Sequence, residues 1–121
     1  MRYGIDPAPS SVLKKIVIDE CLDLRLRYHL PGHECVTVQY LQAKGLKDDL
    51  LLEKIVGAFN VLITRDNNLR FQQNPKKYPT LSVISLDVND GRLKWLLPLV
   101  PMIRTALQII NPGEWLRIPP E

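Results

Sequence analysis

Acidic side chains follow three short, largely apolar runs in this chain of 121 residues. Carboxylates that gather without histidine or cysteine are hard oxygen ligands, which select Mg²⁺ or Mn²⁺ over zinc or copper. Such ions commonly serve phosphate substrates, because they stabilise developing charge and activate water for in-line attack. Acids in these positions also act as turn formers and helix caps, so the pattern alone leaves both roles open. The acids are Asp19 and Glu20 after residues 16–18, Asp66 after residues 61–64, and Asp87 after residues 81–86.

The segments that carry these acids alternate between strand and helix. Short β-branched runs predict strands, and apolar residues that recur every three or four positions predict amphipathic helices. We expect strands at residues 16–18, 35–38, 61–64 and 81–86, with an edge strand at residues 115–118. We expect helices at residues 22–30, 41–44, 48–59 and 93–110, the last kinked by its two prolines.

This alternation predicts an α/β fold with a mainly parallel sheet and helices on both sides. Ligands of such sheets bind at the carboxyl ends of the strands, where the strand order reverses. Three acidic groups are therefore expected near that edge: Asp19 with Glu20, Asp66, and Asp87. Asp48 and Asp49 begin the helix that leads into the third strand, and we expect them at the opposite end of the sheet unless that helix is long or folded back.

Length and composition predict a single globular domain of an intracellular, cytoplasmic protein. Hydrophobic residues make up 45% of the chain, and 16 basic against 13 acidic residues give a net charge of +3, which suits a polyanion partner without requiring one. The longest uncharged apolar run, residues 95–103, is too short to cross a bilayer, and we find no secretion signal. We expect residues 1–15 to form a loose arm with the start of the first strand, and residues 16–121 to form the domain.

The chain lacks the residue patterns of several common catalytic and metal sites. The two cysteines and two histidines do not have the spacing of a redox pair or a zinc site. The chain contains neither Gly-x-Ser-x-Gly nor a glycine-rich phosphate loop. A phosphoacceptor receiver domain would need a lysine after its last strand, and residues 115–118 offer only Arg117. We also find no internal repeat.

Four short motifs follow one another in a definite order. They are Ile16-Val17-Ile18-Asp19-Glu20-Cys21-Leu22, Gly32-His33-Glu34, Gly45-Leu46-Lys47-Asp48-Asp49-Leu50 and Val61-Leu62-Ile63-Thr64-Arg65-Asp66. In this order they resemble the PIN-like family, and more narrowly its short VapC-type branch, over roughly residues 16–69. Members of that branch begin with Asp-Glu-Asn-Leu, carry a Gly-His pair, show Asp-Glu-Glu-Leu at a helix start and close with Thr-x-Asp-x-Asp-Phe.

The resemblance implies a three-layer α/β/α PIN-like domain that holds Mg²⁺ or Mn²⁺ on clustered acids. Such proteins are typically toxins of bacterial toxin–antitoxin pairs that cleave RNA, so an RNA substrate and a cognate antitoxin are implied as well. By motif position, Asp19, Asp48 and Asp66 are the catalytic acids and metal ligands. The supporting residues are Glu20 at the family's second position, Asp49 beside the helix acid, and Thr64, which fixes the turn before Asp66.

Two departures from the family pattern keep a second function open. The final Asp-Phe of the family is Asn68-Leu69 here, so we expect Asn68 to be a metal ligand that brings no charge and lowers the affinity. Cys21 stands where the family has asparagine, which removes a polar group beside Asp19. The alternative is a catalytically weakened PIN-like module that binds RNA or a protein partner without cleavage.

Basic and aromatic side chains follow Asp66 and suggest where RNA would run. Cations can track phosphates beside the metal, and aromatic rings can stack on unpaired bases. The other interpretation is a solvated loop with two anchoring aromatic residues. The cations are Arg65, Arg70, Lys76 and Lys77, and the aromatics are Phe71 and Tyr78.

The predicted C-terminal helix has apolar residues nearly all round its circumference. Because one sheet cannot cover every side of a helix, we expect this helix to form part of a homodimer or antitoxin interface. The residues are Leu93, Trp95, Leu96, Leu97, Leu99 and Val100.

Overall fold

The computed structural model describes residues 13–42 and 45–120, without the side chain of Arg70. Most of the predicted arm, residues 1–12, lies outside the described residues. The strands are β1 (Lys15–Ile18), β2 (Glu34–Thr37), β3 (Val61–Thr64), β4 (Ser82–Leu86) and β5 (Trp115–Ile118). The helices are α1 (Asp48–Ile55), α2 (Leu69–Gln72), α3 (Leu93–Leu96) and α4 (Val100–Ile109), and the 3₁₀-helices are η1 (Leu24–His29), η2 (Pro75–Lys77) and η3 (Leu97–Leu99).

All five strands form one parallel sheet in the order β2-β1-β3-β4-β5. The predicted α/β fold with a mainly parallel sheet is therefore confirmed. The chain leaves β1 toward β2 on one side and then passes to β3 on the other side of β1. β1 and β3 thus flank the point where the strand order reverses, which is where ligands of such sheets bind.

Apolar side chains on the two faces of the sheet form separate clusters, because successive residues of a strand point to opposite faces. Ile16 and Ile18 of β1 belong to the cluster that includes residues of η1, α3 and α4. Val17 belongs to the cluster that includes residues of α1. Helical segments therefore cover both faces, as the buried apolar runs of β1 and β3 predict.

The segment between β1 and β2 is helical, but not as predicted. Leu22, Leu26 and Leu30 are all buried, yet the helix between the strands is the short η1. Only Leu26 belongs to it, since Leu22 precedes its start and Leu30 follows its end. The spacing of four therefore reflects three separate anchors in the core rather than one stripe of an α-helix.

Two further helix predictions were wrong in extent. α1 begins at Asp48 as predicted, but it ends at Ile55 because the chain turns toward β3 at Gly57, which has a φ of 85°. The predicted helix at residues 41–44 is absent from its described half, where residues 41–42 form a turn. Residues 43–44 lie outside the described residues.

The predicted helix over residues 93–110 is present with a break. Pro98 has no backbone N–H to donate, and the turn around it is η3, which separates α3 from α4. Pro101 stands in the first turn of α4, where an N–H would have no partner within the helix. Among residues 13–42 and 45–120, no helix is long and apolar enough to span a membrane.

Candidate functional site

A cleft of about 510 Å³ opens at the carboxyl ends of β1 and β3, where the strand order reverses. Residues after β1, after β3 and at the start of α1 form its walls. The three predicted metal acids meet here. The charged and polar lining residues that matter below are Asp19, Glu20, Asp48, Arg65, Asp66 and Asn68.

Asp48 lies at this edge, so the expectation that the start of α1 sits at the opposite end of the sheet was wrong. A helix that connects parallel strands runs antiparallel to them, and its amino end therefore lies at the edge where the chain left β2. Eight residues suffice for this arrangement in α1. Asp49 is exposed and lies outside the cleft, and its Oδ1 accepts a hydrogen bond from the N–H of Leu50 at 2.9 Å.

The Thr64 hydroxyl joins the acid after β1 to the turn after β3. Thr64 Oγ1 donates to Asp19 Oδ2 at 2.7 Å and accepts from the backbone N–H of Asp66 at 3.1 Å. The side chain is fully buried, so solvent does not compete for either hydrogen bond. Thr64 thereby fixes Asp19 and the Asp66 turn relative to each other.

Backbone amides orient the other oxygens of the site. The N–H of Glu20 donates to Asp19 Oδ1 at 2.8 Å, and the N–H of Asn68 donates to Asp66 Oδ1 at 3.0 Å. The Glu20 carboxylate accepts from the N–H of Gly45 at 3.0 Å, which ties the loop after β1 to the loop before α1. An ionised carboxylate has about four acceptor positions, so Asp19 and Asp66 both retain capacity for a cation.

The acids of the cleft repel one another. Burial raises the pKa of Asp48, and the negative charges of Asp66 and Asp19 raise it further. Hydrogen bonding with the Asp66 side chain also raises this pKa. Among the described residues, no lysine or arginine forms an ion pair with any of these three acids. The cleft therefore concentrates negative charge.

The donor set fits the ion that the resemblance implies, because oxygen ligands without imidazole or thiolate suit Mg²⁺ or Mn²⁺. Asp19, Asp48 and Asp66 would hold the ion, with the Asn68 amide as an uncharged fourth ligand. In their present positions, no three His, Cys, Asp or Glu side chains of the described residues form a group that could hold a metal. A cation would therefore have to draw the carboxylates together against their mutual repulsion.

Cys21 lies beside the acids as a neutral thiol. Its Sγ is 3.8 Å from Thr64 Oγ1. Burial raises the pKa of the thiol, and the negative charge of Asp19 raises it further. Because the thiolate is the metal-binding form of cysteine, Cys21 adds no ligand to the three carboxylates at neutral pH.

The predicted RNA-binding cations do not form one group. Arg65 lines the cleft, and its Nη2 donates to the carbonyl of Asn89 at 2.9 Å. Lys76 and Lys77 are exposed on η2, where the chain is returning to the start of β4, and neither lines the cleft. The side chain of Arg70 lies outside the described residues.

Of the two interpretations of this loop, Tyr78 fits the anchoring one and offers no face for RNA bases. Its side chain is 2% exposed and packs in the same cluster as α1. An aromatic ring among polar residues is compatible with either a core anchor or a surface contact, and the sequence could not separate them. Phe71 of α2 is exposed.

The strand pattern does not predict the contacts of two polar residues, Asn67 and Asp87. Asn67 also lines the cleft, and its Nδ2 donates to the carbonyl oxygens of Arg65 at 3.3 Å and Leu86 at 3.4 Å, which links the Asp66 turn to the end of β4. Asp87 follows β4 but forms an ion pair with Arg117 of β5 at 2.6 Å and lies outside the cleft.

Comparison of the chain with protein-family models, with curated proteins and with solved structures finds no match. The PIN-like resemblance therefore stays a prediction from the four motifs. The function has to be argued from the cleft itself.

Replacing Thr64 tests whether its hydroxyl organises the site. Thr64→Val keeps the shape but leaves the N–H of Asp66 without an acceptor, which should lower the free energy of unfolding by about 1–3 kcal/mol. Thr64→Ser keeps the hydroxyl and loses one methyl group, worth about 0.8 kcal/mol. Urea unfolding of both variants measures the difference. Equal losses would show that the methyl packing, and not the hydroxyl, is what matters at this position.

The raised pKa of Asp48 predicts how the metal-free protein responds to pH. The ordinary pKa of this carboxyl is 3.8. The stability that its protonation contributes is fully present below that value and is lost as the pH rises through the raised pKa of the folded state. In EDTA, Asp48→Asn should therefore gain stability relative to the parent as the pH increases from 3.5 to 7. Urea unfolding across this range measures the trend. Asp49→Asn removes only the weakest of the charges that raise the pKa of Asp48 and should show a smaller trend. A pH-independent difference for Asp48→Asn would contradict the raised pKa.

Proposed function

We propose that this chain is a metal-dependent endoribonuclease of the PIN-like type, which uses Mg²⁺ or Mn²⁺ to hydrolyse phosphodiester bonds. One observation carries the proposal. Acids from the end of β1, the end of β3 and the start of α1 line a single cleft at the reversal of strand order, and they repel one another there.

The residues of the cleft have separate roles in this proposal. Asp19, Asp48 and Asp66 hold the ion, and Asn68 is an auxiliary ligand. When bound, the ion would supply charge stabilisation and an activated water for in-line attack. Thr64 holds Asp19 in position through the 2.7 Å hydrogen bond, and Arg65 supplies a cation in the cleft that can contact a substrate phosphate.

Cleavage of a mixed RNA pool tests the proposal. The parent protein should fragment RNA in Mn²⁺, and EDTA should abolish the fragmentation. Asp66→Asn, purified in the same way, should leave the RNA intact in Mn²⁺, which rules out a contaminating nuclease. A parent that leaves the RNA intact in both Mg²⁺ and Mn²⁺ would contradict the proposed activity.

The second candidate is a PIN-like module that binds RNA or a protein without cutting it. It is favoured by the amide of Asn68 in place of a carboxylate, by the neutral thiol of Cys21, and by the separation of the acids in their present positions. The same assay separates the two candidates. RNA that is retained by the protein but stays intact in Mn²⁺ would favour the binding module.

We also propose that the chain is the toxin of a two-gene pair, with an antitoxin or a second copy on the C-terminal helix. An apolar groove of about 500 Å³ between α4 and β5 supports this, since Met102 and Ile109 are exposed beside Leu116 and Ile118. Of the residues predicted to point outward, Trp95 and Leu97 are exposed, whereas Leu96 is buried. Light scattering at high micromolar concentration should give a dimer in the absence of antitoxin. A monomer would exclude the second copy as the occupant of this groove. An adjacent gene for a small DNA-binding protein would support the antitoxin.

A further inference from the structure

A six-residue motif occurs twice in the chain, so the expectation of no internal repeat was wrong at this scale. Residues 23–28 are Asp-Leu-Arg-Leu-Arg-Tyr, and residues 90–95 are Asp-Gly-Arg-Leu-Lys-Trp. Both follow the pattern aspartate, any residue, arginine, leucine, cation, aromatic. The first copy leads into η1, and the second leads into α3.

The two copies make the same hydrogen bonds. Asp23 accepts the backbone N–H of Arg25 and binds its guanidinium through Nε and Nη2; Asp90 does the same with Arg92. The Nη2 distances to the carboxylates are 2.7 Å and 2.9 Å. Both arginine side chains are exposed. Each guanidinium is thereby held in one orientation, and its other N–H groups have no partner among the described residues.

Each copy also pairs a cation with an exposed aromatic ring. The guanidinium carbon of Arg27 lies 5.0 Å from the ring centre of Tyr28, and Nζ of Lys94 lies 5.4 Å from that of Trp95. Tyr28 is 67% exposed and Trp95 is 38% exposed. Both rings are therefore accessible to a ligand, Tyr28 more than Trp95.

The two copies are neighbours in the fold, although they are far apart in the sequence. The N–H of Asp23 donates to the carbonyl of Gly91 at 2.8 Å, which joins the starts of the two copies directly. A Cβ on Gly91 would clash with the carbonyl oxygen of Cys21, a residue that lines the acidic cleft. The two copies therefore form one surface that begins next to the cleft.

We propose that this twin-motif surface, formed by residues 23–28 and 90–95, binds single-stranded RNA. Its four cationic side chains outnumber its two acidic ones, which suits a phosphate backbone. Exposed rings offer stacking platforms that unpaired bases can use and paired bases cannot. The aspartates hold both arginines ready for phosphate contacts, so less side-chain freedom is lost on binding. The inference rests on the proposed function only in taking RNA as the substrate, and it narrows that substrate to unpaired strands.

Fluorescence anisotropy in EDTA tests the proposal without cleavage, using a labelled, unstructured 12-nucleotide RNA. Tyr28→Leu combined with Trp95→Leu should weaken binding at least about tenfold, because stacking is lost while apolar character is kept. Arg25→Gln combined with Arg92→Gln should weaken binding and reduce the slope of log K against log salt by about 1.4, at about 0.7 for each phosphate contact. Lys76→Gln combined with Lys77→Gln removes the same charge elsewhere and should leave the slope unchanged.

Each outcome of these binding measurements either supports or overturns the proposal. The proposal is overturned if the parent does not bind the RNA, if both twin-motif variants bind like the parent, or if the Lys76/Lys77 variant shows the larger loss. It is also overturned if a duplex of the same length competes as well as the single strand. The proposed function can fail separately, since RNA that binds at the twin-motif surface but stays intact in Mn²⁺ would remove the nuclease and keep the surface.

Discussion

In EDTA, Asp66→Asn should unfold at the same temperature as the parent protein or above it, whereas in Mn²⁺ the parent should become the more stable protein. Removing one negative charge relieves the repulsion that raises the pKa of Asp48. The same substitution removes a ligand for the cation. Relative to the parent, Asp66→Asn should therefore be equally or more stable in EDTA and less stable in Mn²⁺.

The expected size of the metal effect follows from mass action. A ligand that binds only the folded state adds about 2.7 kcal/mol at a hundredfold excess over its Kd. For a domain of this length, that free energy corresponds to an increase in Tm on the order of 10 °C. Asp66→Asn should show only a small part of this increase, and the exposed Asp49→Asn should show all of it.

Paired thermal melts with Mn²⁺ and with EDTA measure both effects. If the aspartates only form turns, the opposite pattern is expected. The parent then shows no metal-dependent shift, and Asp66→Asn melts lower than the parent in both buffers, because the hydrogen bond from the N–H of Asn68 is weakened. That pattern would contradict the proposed metal site.

Asp19→Asn should reduce RNA cleavage in Mn²⁺ by about a hundredfold to a thousandfold while the protein stays folded. A charged ligand of the ion is lost, and a group that stabilises developing charge typically contributes on this order. The asparagine keeps an acceptor for the N–H of Glu20, so the loop after β1 retains that hydrogen bond. RNA binding in EDTA should not weaken.

Asp87→Asn is the matched control for this loss, because Asp87 also follows a strand but pairs with Arg117 outside the cleft. Its cleavage rate should stay within about threefold of the parent, and its free energy of unfolding should fall by no more than about 1 kcal/mol. Equal losses in the two variants, or full activity in Asp19→Asn, would contradict the assignment of Asp19.

The parallel sheet could be predicted from the sequence because its strands carry a strong local signal. β3 and β5 have the predicted bounds, Val61–Thr64 and Trp115–Ile118. Buried strands consist of short β-branched runs, and the chain marks their ends with polar residues. The helical segments are predicted less well, because three leucines spaced four residues apart also fit separate core anchors around η1.

The position of each acid in the fold depends on the direction in which its helix or strand runs, and a local sequence pattern does not report that direction. Asp48 lies at the edge opposite to the predicted one, and the topology determines this, because a helix that connects parallel strands runs antiparallel to them. The ion pair of Asp87 and the burial of Tyr78 depend on which residues meet across the sheet, and no local signal reports that. The twin-motif surface could not be predicted for the same reason. Its two copies are far apart in the sequence, and only the fold brings them together.

A calorimetric titration of the parent protein and of Asp66→Asn with MnCl₂ tests most directly whether the acids of the cleft form one metal site. We expect a single Mn²⁺ site in the parent and an affinity at least about tenfold lower in Asp66→Asn, since one of three charged ligands is gone. Asp49→Asn should bind like the parent. Absence of binding to the parent, or equal affinities in the parent and Asp66→Asn, would contradict the site and the nuclease mechanism built on it.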